Sequence, residues 1–153
     1  MNNQMPDHGL DASAHDCRPV LLTTLHRLFA APESSTLGCR FRYSADDPFA
    51  VSLDLILRSG IAVTWVVSRD LLDAGTTRPS GEGDIKVWPS RPEPGRRRSL
   101  YLSLDRPDGR VTFEADFAEI REWLDRTYAL VPSGSEPELL DWDALEASLL
   151  RQD

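Results

Sequence analysis

The sequence predicts an α+β domain of about seven antiparallel strands followed by a pair of helices. Three observations carry that prediction. Between Pro19 and Ala115, short runs place apolar residues at every second position, the period of a half-buried strand. Clusters of Gly, Pro and Asp separate the runs. After Asp116 the apolar spacing switches to that of a helix. At 153 residues the chain is of single-domain size, long enough to bury roughly 70% of its unfolded surface.

Residues 1–18 are polar and without period, so they read as a disordered leader to a domain over 19–150, with 151–153 a short tail. The first strand is predicted from VLLTTLHRLF, residues 20–29. Leu37, Cys39, Phe41 and Tyr43 alternate with Gly38, Arg40 and Arg42, a strand with one wet face. Ala45-Asp46-Asp47-Pro48 makes a turn, because Asp can bond its own backbone and Pro fixes φ. Phe49, Val51, Leu53, Leu55 and Leu57 alternate with Ala50, Ser52, Asp54 and Ile56, the clearest strand in the chain.

Arg58-Ser59-Gly60 closes a hairpin. Ile61–Val67 is β-prone on both faces, which predicts a central, well-covered strand with Trp65 in the core. Ser68 is placed to cap a short helix, RDLLDA, with Gly75 as its left-handed terminator. A fifth strand is predicted over Asp84–Trp88, then an exposed loop, SRPEPGRRR. Leu100, Leu102 and Leu104 mark the sixth strand. Arg106-Pro107-Asp108-Gly109 is a turn, and Val111, Phe113 and Ala115 mark the seventh. Asp116 and Glu119 form a capping box for a helix with Phe117, Ile120, Leu124 and Tyr128 on one stripe. Pro132 ends it, and SGSEPE leads to a second amphipathic helix with Trp142, Leu145 and Leu149 on one face.

The groupings that do chemistry are missing. Three histidines, at 8, 15 and 26, offer no zinc spacing, and His26 reads as the solvent face of a strand. No GxSxG elbow is present for a serine nucleophile. PSGEGD at 79–84 has the glycines of a phosphate cradle, but a strand rather than a helix N-terminus follows, so it reads as a turn. Asp46-Asp47 and Asp141-Trp142-Asp143 do not converge as paired carboxylates; turn formation and helix capping account for them. No cofactor is expected. Two cysteines make no disulfide framework: Cys39 reads as a core residue and Cys17 lies in the leader. The opening residues lack the pattern of a secretory signal, and no apolar run nears the roughly 18 residues of a membrane span, so a cytoplasmic protein is expected.

A net charge of −8 argues against general binding to phosphate backbones. The charge is uneven: residues 133–153 carry −5, whereas residues 91–98 carry +3 through Arg91, Arg96, Arg97 and Arg98 against Glu93. Only Lys86 among the 17 basic residues is a lysine, a bias that fits a GC-rich genome. The Arg96-Arg97-Arg98 run is the best candidate for an anionic partner, with an acidic protein surface favoured over nucleic acid or membrane. Trp88, at a strand end beside Pro89, is a candidate interface anchor.

One set of motifs is more telling than any of these. YSADDPFAV at 43–51, Trp65, RDLL at 69–72, Gly75, PSGEGD at 79–84 and VWP at 87–89 together resemble the SsgA-like proteins, sporulation and cell-division regulators of filamentous actinobacteria. The resemblance covers about residues 19–150. It implies a Whirly-like fold of two packed antiparallel sheets with a C-terminal helical pair, assembled as a homotrimer. It also implies a protein without catalytic activity that works at division septa. Members position septa, help recruit the tubulin-like division protein FtsZ, or act in septal peptidoglycan remodelling. The expected partners are copies of this chain, other family members and FtsZ-type division proteins, with membrane contact only indirect. Arg69 and Asp70 read first as builders of the short helix, Trp88 as a packing residue and the arginine run as a solvated loop. If the chain offers a partner surface, it is expected at the short helix with Arg69 and Asp70, together with Trp88, Arg96, Arg97 and Arg98. The alternative is a single-stranded nucleic-acid-binding module on the same fold, which would need a basic groove with aromatic platforms.

Overall fold

The computed structural model describes residues 18–151. The strands are β1 (Val20–Arg27), β2 (Thr36–Arg42), β3 (Ala50–Ile56), β4 (Ala62–Ser68), β5 (Ser80–Glu82), β6 (Ile85–Pro89), β7 (Ser99–Arg106) and β8 (Gly109–Asp116). Helix α1 (Arg69–Gly75) follows β4, and α2 (Phe117–Leu130) and α3 (Trp142–Leu150) follow β8. Every strand pairing is antiparallel, and the order across the sheet is β4-β3-β2-β1-β8-β7-β6-β5.

The α+β class holds, but the two packed sheets are corrected to one curled sheet. Its halves are the meanders β1–β4 and β5–β8. They join where His26 and Arg27 of β1 pair with Glu114 and Phe113 of β8, two register positions against seven between β1 and β2. So short a seam lets the halves turn about one another while the hydrogen-bonded ladder stays continuous. The eighth strand, β5, lies inside the predicted turn. Gly83, at φ 60°, makes the two-residue hairpin that joins it to β6.

Three further expectations change. β4 is an edge strand rather than a central one; Ile61 and Val66 are exposed, although Trp65 and Val67 face the core. β1 ends at Arg27, two residues short of Phe29, which is fully exposed with φ 61°. Gly75 ends α1 without a left-handed φ. Glycine is needed there for closeness instead: a Cβ would collide with Val87, 2.5 Å from its Cβ and nearer still to Cγ1. Cys17 and nearly all of the predicted leader lie outside the described residues, whereas Cys39 is a free, buried core residue whose thiol burial pushes up to about 12.

The core lies between the inner face of the curl and α2. Phe41, Val51, Leu53, Val87, Leu100 and Leu102 come from the strands, and Ile120, Trp123 and Leu124 from α2. Trp123, absent from the predicted stripe, is fully buried and packs its ring 5.5 Å from Phe41. Asp116 caps α2 by accepting from the Glu119 N–H at 3.1 Å. Glu119 does not complete the box; its carboxylate accepts from the Thr23 hydroxyl on β1 and ties the helix to the sheet.

Candidate functional site

Arg69 is not on the surface, because the polypeptide closes over it. It is 1% exposed, and its guanidinium lies between the rings of Tyr43 and Tyr128, 4.8 and 4.0 Å from their centroids. Its Nη1 donates to the carbonyls of Thr127 and Val131 at the end of α2, at 3.0 and 2.9 Å. Its Nη2 donates to Glu136 Oε1 at 2.7 Å. A cation thus meets the negative end of a helix and a buried carboxylate at once. The Glu136 carboxyl is held below its ordinary range by a bond from its own backbone N–H and by Arg69.

The neighbours explain more of the motif. Tyr43 donates its hydroxyl to the Pro48 carbonyl at 2.9 Å, tying the YSADDP turn to the core. Tyr128 donates to Asp70 Oδ1 at 3.1 Å, and burial with Asp73 and Asp70 nearby pushes its pKa up. Asp70 remains exposed on α1, while its neighbour Arg69 is committed to holding α1, α2 and the C-terminal segment together. Of the two readings of Arg69, helix building holds and partner contact is corrected on that ground.

The other expected residues gather on the outer face of β6 and β7 and on the loop between them. Trp88 and Tyr101, opposite each other on β6 and β7, stack on the outer face with centroids 5.6 Å apart and rings 24° from parallel. With Arg91, Arg96, Arg97 and Glu114 they border an open cavity of about 560 Å³. Arg96 and Arg97 are exposed, pairing only at 3.5 Å with Glu93 and 3.4 Å with Asp116. Arg98 is turned inward, its guanidinium 4.2 Å over the Phe117 ring. The triplet is therefore two free-facing cations and one packing residue. Burial and the Glu114 carboxylate push the Tyr101 phenol up, so it stays a neutral donor. Flat rings beside exposed guanidiniums suit a partner with acidic side chains and planar or apolar groups.

Asp54 is a feature the sequence did not reveal. Its strand position faces outward, yet it is 1% exposed. Arg40 and Arg42 each donate from Nε, at 2.8 and 2.7 Å, and Thr64 donates from its hydroxyl at 2.7 Å. The Arg42 and Thr64 bonds, with Arg40, drive its carboxyl far below the usual range against the opposing effect of burial. Around this clasp lie exposed Leu22, Val66, Val20 and Ile56. Among the described residues no cluster of His, Cys, Asp and Glu could hold a metal ion, and no helix is long and apolar enough to cross a membrane.

A family model described as the Streptomyces sporulation and cell division protein SsgA matches residues 37–136. The chain belongs to the SsgA family. The sporulation-specific cell division protein SsgB of Thermobifida fusca is 40% identical over 108 residues, 71% of this chain and 77% of that protein. SsgB of Streptomyces coelicolor is 37% identical over 118 residues, covering 76% and 85%. A crystal structure of an SsgA-like protein from Thermobifida fusca superposes with a TM-score of 0.73 at 34% identity, covering 86% of this chain and 94% of that one. The segment that matches the SsgA family holds both the Arg69 knot and the Trp88 surface. The RDLL motif thus contributes Arg69 to the fold, and the stretch from Trp88 to Arg97 supplies an open surface.

Proposed function

We propose that this chain is a non-enzymatic adaptor of sporulation-specific cell division, which helps position septa or recruit FtsZ and the division machinery, or controls septal peptidoglycan remodelling. The observation that carries the reading is its kinship with SsgB proteins, named for sporulation-specific cell division, over more than two thirds of its length. The surface beside Trp88 gives the adaptor a place to hold an acidic protein partner. Copies of the chain associate, in this reading as a trimer, so that several such surfaces are presented together.

Deleting the gene and counting septa in sporulating hyphae tests the role. Sparse or misplaced septa, restored by the wild-type gene, are expected; regular septation without the gene would remove the reading.

A second reading rests on one observation, the Trp88–Tyr101 stack beside three exposed arginines, which is the outline of a base-stacking platform. The net charge of −8 weighs against it. Titrating the protein with labelled oligo-dT at 50 and 200 mM salt separates the two. Low-micromolar, salt-sensitive binding abolished by Trp88→Ala would favour nucleic acid.

A further inference from the structure

Two unpartnered surfaces of this molecule are complementary. The first is α3. None of its residues is buried; Trp142 is 55% exposed, Leu145 45% and Leu149 64%, and the three share one stripe. A surface helix ordinarily turns such a stripe to a core. Acidic Asp143 and Glu146 flank it, and among the described residues neither has an ion-pair partner.

The second surface is the open mouth of the curled sheet, at the end away from α2. Leu55, Val63, Trp65, Leu104 and Val111 line a cavity of about 620 Å³ there. Arg27, Arg58, Arg106 and Arg110 stand on its rim. Arg106 and Arg110 touch acids of their own hairpin, Asp108 and Asp105. Arg27 and Arg58 have no ion-pair partner among the described residues.

α3 does not cover the mouth of its own chain: none of its residues lines that cavity. Glu136, just ahead of it, is fixed to Arg69 beyond the C-terminal end of β4, whereas the mouth lies at the N-terminal end of that strand.

We propose that α3 of one copy docks its Trp142–Leu145–Leu149 stripe into the arginine-rimmed mouth of a second copy. Asp143 and Glu146 then face Arg27 and Arg58 of the receiving subunit. Such a contact joins two different patches, so repeated around an axis it closes a ring. The inference rests on the self-association proposed above and is independent of the septal role.

Light scattering on the full chain at micromolar concentration tests it with three variants. The α3 reversal is Asp143→Arg with Glu146→Arg, the rim reversal is Arg27→Glu with Arg58→Glu, and the third combines all four. All these side chains are exposed, so unchanged far-UV circular dichroism and melting temperature show that folding is intact. The wild type should run as a multimer, each reversal alone as a single subunit, and the combination as a multimer again. A multimer that survives either reversal, or a combined variant that stays monomeric, overturns this docking while leaving self-association standing. A monomeric wild type removes self-association as well, and if its mouth then takes up an added acidic amphipathic peptide, the site belongs to another partner.

Discussion

Arg69 shows how a motif residue can be conspicuous in sequence for reasons of folding. Its counter-charge, its two tyrosine neighbours and its three hydrogen bonds come from segments 26 to 67 positions away, so nothing local announces its burial. Arg69→Met would strand the Glu136 carboxylate and two α2 carbonyls, and should cost about 3–5 kcal/mol in a urea unfolding series. Asp54 is the second such residue. Its neighbours Ser52 and Ile56 read correctly as outward, but the arginine stems that cover it belong to β2, beyond what alternation can tell. Asp54→Asn should cost about 1.5–3 kcal/mol at neutral pH. The folded Asp54 carboxyl titrates below its ordinary value near ~3.9, so its stabilisation is complete above that pH and is lost as pH falls below it. The gap between wild type and variant should therefore narrow only below about pH 4, as read from melting temperatures between pH 7 and 2.5. Gly75→Ala tests close approach: the added methyl would strike Val87, and overpacking should cost about 1–3 kcal/mol.

Elements were legible where their own residues state their environment. The alternation of Val51, Leu53 and Leu55 gave β3, and Asp116 with the helical stripe gave α2. Environments that depend on a partner element were not. β4 is apolar on both faces yet lies at the edge, because no further strand follows it in the sheet order. β5 has three residues, one a glycine, and is a strand only because β6 pairs with it. The loop between β6 and β7 was legible in charge but not in orientation, since Arg98 packs inward on Phe117 while Arg96 and Arg97 face out. At this scale, changing Arg91, Arg96 and Arg97 together to Glu should leave the melting temperature within about 1 °C, because surface pairs contribute little. If FtsZ is the partner, as proposed above, the same variant should lose at least tenfold in affinity for FtsZ, measured by titration calorimetry. Unchanged affinity would move the contact to another surface.

At the scale of the whole molecule, the curled sheet divides labour. Its inner face and α2 build the core, its outer face carries the Trp88–Tyr101 surface and the Asp54 clasp, and its open mouth remains uncovered. The family resemblance was readable in the motifs and is matched by SsgB relatives at 36–43% identity. The single sheet was not readable, since the β1–β8 seam joins residues 86 and 88 positions apart by two pairs. In the function proposed above, the molecule works at the division septum. A fluorescent fusion at the native locus, imaged in sporulating hyphae with membrane and DNA stains, tests it most directly. Regular ladders of foci at nascent septa are the predicted result; signal that follows the nucleoids, or fills the hypha evenly, would contradict it.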